Sequence, residues 1–360
     1  MSYIWQYYLL IFVIMFQGIL LSLGKRTGKI IFFILCFVEL FFLAGFRGWN
    51  IGTDTPRYIQ SFILSINYPE LMKSHMETGY LLFNQFLGSI SRNPQILLIV
   101  TSLFFVWTWL RTFYKYSASF PFSVLLFVIL EFTTTLSMIR QEIAICIILL
   151  ALPFIIKRQL LPFILACCMA TCFHTSAIAT IAVYFIYSLP LKKKYFCAII
   201  LASIVLFVFL SPILNQMVSI IGRYDGYANE RLLLNGAKTS AILKTLVQFI
   251  ITAFCWVSYR YFNPKLNSLQ SPINIPFLLW CSALAMCIQF VSIKAIGLDR
   301  LSLYFSCFNF ISIPLFVRVY QPPIRLMLMT CLIGCFILYK SIIFIYRPEW
   351  NTVFPFEFCF

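Results

Sequence analysis

The chain has 360 residues, of which 62% are hydrophobic and only 11% charged, with 40 Phe among them. Soluble domains carry about 25% charged residues, and so few charges cannot cover the apolar surface of a water-facing globule this large. With a mean hydropathy of +0.93, the composition excludes a secreted disulfide scaffold, a disordered chain and a soluble enzyme on a single anchor. The solvent is lipid. The net charge of +16 does not point to nucleic acid, because the basic residues gather in short clusters between apolar stretches, as membrane loops do. Twelve of the 13 cysteines lie in or beside apolar runs and read as small core hydrophobes, leaving Cys359 in the tail.

In chain order, the opening segment has no Lys or Arg ahead of its apolar stretch and reads as a retained first helix over 3–23. A spanning helix needs about 20 apolar residues. Further spans are predicted at 30–46, 95–113, 120–138 and 140–157, the last marginal but bounded by charge. The stretch 159–189 reads as two short helices meeting at His174, and spans at 195–214, 240–260, 274–294, 299–318 and 324–345 follow. The expectation is an all-α polytopic membrane protein with about twelve transmembrane helices, or eleven if 159–189 is one tilted helix. Residues 1–360 read as a single integral-membrane domain.

Charge orients these spans. With the N-terminus outside, the inner connections 24–29, 111–119, 157–158, 190–194, 260–273 and 318–325 hold 14 of the 27 basic residues and no acid. Lys and Arg density on short loops marks the cytoplasmic side. The longest loops, 47–94 and 215–239, then lie outside. Within the first, ETGYLLFNQFLGSIS (77–91) repeats its apolar residues at helical spacing, as an amphipathic surface helix does.

The chain has no P-loop, no HExxH and no DxD pattern, so neither a metal nor a cofactor is expected. The informative residues stand at the outer ends of the spans: Arg47, Arg140, His174 and Arg300, with Arg223 and Arg231 in the second outer loop. Singly, each Arg reads as a snorkelling anchor, His174 as a packing residue, and Tyr58, Tyr224, Tyr227 and Tyr304 as belt aromatics. Glu39 and Glu131, inside spans, are costly there and count as functional candidates. Together on one face, the arginines favour an anion site, because the guanidinium fork stays charged and pairs with phosphate through two bonds. A lipid-bound diphosphate at the outer leaflet fits.

At these residues the chain resembles a known family. GFRGWNIGTDTPRYIQSF, SMIRQEIAICIILLA, CFHTSAIATIAVYFI and GLDRLSLYF are similar, in this order, to segments of EpsG-type and Wzy-type polysaccharide polymerases. The resemblance implies a GT-C-like glycosyltransferase of the bacterial inner membrane, with its active site facing the periplasm. Its substrate would be an undecaprenyl-diphosphate-linked oligosaccharide, its surroundings membrane lipids, and its further partner a chain-length regulator protein. The implied reaction is metal-independent, inverting O-antigen or exopolysaccharide polymerisation. Carried onto this sequence, Arg47, Arg140 and Arg300 are the diphosphate candidates, and Asp54 and His174 the two base candidates. Tyr58, Gln141, Arg223, Tyr227, Arg231 and Tyr304 are the substrate contacts. A ligase with the same chemistry and a flippase are the rival readings; a flippase would show internal repeats and midplane polar breaks.

Overall fold

A computed structural model describes residues 3–22, 24–221, 237–269, 271–294, 296–348 and 352–360. Among them all regular secondary structure is helical, with no strand and one isolated antiparallel bridge between Arg47 and Phe358. The chain divides into two compact units, residues 1–178 with 317–360, and residues 179–316.

The first unit holds α1 (Trp5–Ser22), α2 (Lys25–Gly45), α3 (Thr55–Asn67), α4 (Pro69–Met72), α5 (Thr78–Ile90), α6 (Gln95–Tyr116), α7 (Phe120–Leu130), α8 (Phe132–Thr135), α9 (Ile139–Leu150), α10 (Leu152–Ile156) and α11 (Leu160–Phe173). Its core is built at helical spacing. Cys36, Leu40 and Ala44, one turn apart on α2, are fully buried where that helix packs on α6. Tyr7 on α1 donates its hydroxyl to the Ile129 carbonyl of α7 at 3.0 Å, so a polar tip buried between helices is satisfied.

The second unit holds α12 (Ile181–Ile186), α13 (Lys193–Ile221), α14 (Ala237–Ser268), α15 (Ile275–Val291), α16 (Asp299–Ser306) and nearly all of α17 (Asn309–Val317). Polar side chains join its helices: Asn309 Nδ2 donates to Gln248 Oε1 at 2.9 Å, Gln248 Nε2 to the Ser282 carbonyl at 3.2 Å, and the Thr252 and Ser282 hydroxyls stand 2.9 Å apart. Without a hydrophobic drive between helices in lipid, such bonds hold spans together at about 0.6 kcal/mol each. Lys244 pairs with Asp299 at 2.7 Å and ties the start of α14 to the start of α16.

Every apolar run expected to span is helical, but not every run is one long rod. Among the described residues five helices are long and apolar enough to cross a membrane, α18 (Pro322–Tyr346) among them, and six if α16 and α17, bent by 47° at a short break, count as one span. The other runs are shorter or interrupted. The run over 120–138 stops at Glu131, and 140–157 breaks at Ala151. The run 159–189 does form two short helical pieces hinged at His174.

Large side chains on the outer faces of the spans, such as Phe12, Phe16, Leu201, Val208, Phe249 and Leu326, are exposed. In water these would be an aggregation surface; in a bilayer they face acyl chains, as in a multi-pass membrane protein. Exposed Tyr3, Trp5, Trp49, Tyr346 and Phe360 gather where α1 begins and α2 and α18 end, as interfacial aromatics do. The tail fastens that end: Gly48 N–H donates to the Glu357 carbonyl at 2.8 Å and Cys359 N–H to the Phe46 carbonyl at 2.9 Å.

The connection 47–94 carries the helix expected over 77–91, as α5, and two more that the sequence pattern does not predict, α3 and the one-turn α4. The longer of these, α3, buries Thr55, Tyr58, Ile59, Phe62 and Ser65 along one face.

Candidate functional site

Three helix ends meet in the first unit. Glu77 stands just before α5 in extended backbone (φ −65°, ψ 138°), and its carboxylate does not cap its own helix. It turns instead to Arg140, in the first turn of α9, whose NH1 donates to Glu77 Oε2 at 2.5 Å. The other oxygen, Oε1, accepts the Thr175 N–H at 3.3 Å and lies 3.5 Å from His174 Nδ1. His174 closes α11 in extended backbone (φ −153°, ψ 114°). Helix ends bring polar groups together without breaking a helix, since their backbone groups already need partners.

Burial alone would raise the Glu77 carboxyl. The His174 ring, the Arg140 charge and the N–H groups of Glu77 and Thr175 outweigh it and hold the group down at about 2. Glu77 is therefore an anion at every physiological pH. The Arg140 guanidinium also lies 5.8 Å from the ring centres of both Tyr58 and Tyr80. That distance is within cation–π range, and the two rings pack edge to face at 6.0 Å.

A glycine makes the junction possible. A Cβ on Gly79 would stand 2.7 Å from both Cys172 Cβ and the Cys172 carbonyl oxygen, so α5 and α11 approach only because the side chain is missing. Gly79→Ala should destabilise the protein by about 1–3 kcal/mol. The expected result is earlier loss of the monodisperse chromatographic peak on heating the solubilised protein; an unchanged midpoint would show that the helices can part without cost.

Arg47 is turned inward. It is 1% exposed, and its guanidinium donates to the Ala44 carbonyl, to Ser102 Oγ at 3.3 Å and to the Leu136 carbonyl at 3.1 Å. Burial pushes the group down to about 9, which leaves it a cation at neutral pH. Thr55 Oγ1 donates to the same Leu136 carbonyl at 3.0 Å, and Thr53 N–H to Ser137 Oγ at 3.0 Å. The 47–55 turn is thus clamped onto the segment that leads into α9 and Arg140. Gly52 adopts φ +99° there, and a Cβ would stand 2.7 Å from the Leu136 oxygen, so only glycine fits. Asp54 occupies the position before α3, one turn ahead of Tyr58.

The structure therefore brings Arg140, His174 and Tyr58 together, and adds Glu77 and Tyr80, which the sequence reading did not single out. Both lie in the amphipathic segment 77–91, where neither residue type stands out from its neighbours. The one available signal was an acid directly preceding Thr-Gly at a helix start. Gln141 is buried beside Arg140. In the second unit Arg300 is exposed in the first turn of α16, next to the Lys244–Asp299 pair, and Tyr304 is fully buried one turn on. Arg223, Tyr227 and Arg231, with Tyr224, lie outside the described residues. Among the described residues no three His, Cys, Asp or Glu side chains gather.

No curated protein and no solved structure matches the chain significantly. The family model of the EpsG family matches residues 29–358, a range that contains every element of the Glu77–Arg140–His174 junction and Arg300. The chain belongs to the EpsG family.

Proposed function

We propose that the protein polymerises lipid-linked oligosaccharide repeat units at the outer face of the bacterial inner membrane. In this reading a growing glycan moves from undecaprenyl diphosphate to the sugar of an incoming undecaprenyl-diphosphate-linked unit. The carrying observation is the convergence of Arg140, Glu77 and His174 from three separate helices, in a chain of the EpsG family. Twelve membrane passages with a GT-C-like arrangement belong to the same proposal. So does a chain-length regulator as partner.

The chemistry is an inverting displacement. A base, His174 or Asp54, takes the proton of the acceptor hydroxyl. The acceptor oxygen bonds to the anomeric carbon as the bond to the diphosphate oxygen breaks, and the electron pair leaves with the diphosphate. Arg140 stabilises that charge through its guanidinium fork, with no metal required, and the family resemblance gives Arg300, Arg223 and Arg231 the same role. Arg47, fully enclosed, serves through the turn it clamps. Tyr58, Gln141, Tyr227 and Tyr304 contact sugar or phosphate.

Deletion followed by gel analysis of the lipopolysaccharide or capsule tests the reading. A single repeat unit on the lipid core, in place of a ladder, is the expected result. An unmodified core would overturn it in favour of a ligase or flippase.

A further inference from the structure

Resting on that reading, we infer that Glu77 is a positioning residue that makes His174 the base of the transfer. The two oxygens of Glu77 are divided between partners. Oε2 is held by Arg140 NH1 at 2.5 Å, while Oε1 accepts the Thr175 N–H at 3.3 Å and faces His174 Nδ1 at 3.5 Å. A carboxylate held by a guanidinium on one oxygen and a peptide N–H on the other cannot swing, so the ring meets a fixed anion. His174 Nδ1 is buried with no nearer acceptor, and a small ring rotation closes the bond. A neutral imidazole that donates its Nδ1 proton to a carboxylate keeps its lone pair on Nε2.

Nε2 is then the atom that takes the acceptor proton as the new glycosidic bond forms and the diphosphate departs with its electron pair. The resulting imidazolium faces Glu77, which stabilises it until the proton passes to water. The logic is that of an acid-oriented histidine, in which the carboxylate sets the tautomer and never takes the proton itself.

The chain has only two histidines, and His75 is exposed, so His75→Gln leaves one imidazole to observe. Protein purified without a histidine tag, labelled with 15N-histidine and reconstituted in lipid, should show the His174 ring in its Nδ1-protonated neutral form. Glu77→Gln should convert it to a mixture of tautomers. With lipid-linked repeat units isolated from the deletion strain as substrate, Glu77→Gln should lower kcat by about 100-fold or more, with KM nearly unchanged. In a His174→Ala background the same change should cost nothing further.

An Nε2-protonated ring in the wild type would overturn the inference. So would a Glu77→Gln loss of equal size with and without His174. The wild-type tautomer needs no turnover and no variant at Glu77, so it stands apart from any failure of Glu77→Gln to fold. If the wild type extends no chains, the polymerase reading fails while the tautomer still reports on the pair.

Discussion

Arg140→Lys should lose glycan chain extension by about 30- to 1000-fold while the protein accumulates to its normal level. The guanidinium holds Glu77 with one nitrogen, at 2.5 Å, and lies 5.8 Å from the ring centres of both Tyr58 and Tyr80. The same guanidinium also bonds the Tyr58 side chain, so its direction is fixed by two partners. Lysine supplies one compact charge on a flexible stem and cannot hold Glu77 and a substrate in fixed directions together. Losing one charge-assisted contact in a partly dry site is worth roughly 2–4 kcal/mol, which is the stated range in rate. An arginine that only anchors a helix end would behave differently, since lysine snorkels as well. Arg300→Lys should follow Arg140→Lys, and Arg26→Lys, in the first turn of α2, should leave the ladder intact. The measurement is the ladder in a complemented deletion strain, with protein level read by immunoblot. Full-length ladders from both the Arg140 and Arg300 variants at normal level would remove the proposed anion site.

Arg47→Met should fail for another reason. The wild-type guanidinium is buried and donates to the Ala44 and Leu136 carbonyls and to Ser102. Methionine fills similar space and leaves those acceptors bare. Hydrogen bonds to a charged group are worth about 1.5–3 kcal/mol each, and the freed carbonyls sit where water does not reach. A loss of roughly 3–5 kcal/mol should appear as a low protein level and a depressed melting midpoint in detergent, with activity falling in step. Arg47→Lys should recover part of both, because one donor survives. An Arg47→Met protein that melts like wild type yet extends no chains would instead make Arg47 a direct diphosphate contact. The pair of variants therefore separates two uses of arginine in one loop system. Arg140 pairs with Glu77, and Arg47 holds the turn packed on the segment that leads to Arg140.

The C-terminal segment supports the same division. Gly48 and Phe46 are bonded to Glu357 and Cys359 through the backbone, so the turn that carries Arg47 is clamped on its other side by residues more than 300 positions later. Chain separation of that size is invisible to local pattern. The bonds use only main-chain atoms, and no residue type announces them.

What the sequence determined alone is what depends on composition and local period. An apolar content of 62% requires lipid, runs of about 20 apolar residues require helices, and a lone His amid an apolar run of 31 residues marks where that run breaks. The α5 helix was legible because its buried and exposed residues alternate at 3.6 spacing. The α3 helix was not, since Thr55, Tyr58, Phe62 and Ser65 bury a mixed face that looks polar until a neighbour covers it. Tertiary structure decided which charges do what. Arg47 and Arg140 are the same residue type at the ends of apolar runs, yet one is enclosed by carbonyls and the other paired with a carboxylate. Glu77 became visible only when Gly79 let α5 approach Cys172 and brought its carboxylate to His174. Pairing between groups 63 and 97 residues apart (140 − 77 and 174 − 77) is a property of helix packing, because the free energy of a buried charge depends on what stands within a few ångströms of it and not on its place in the chain.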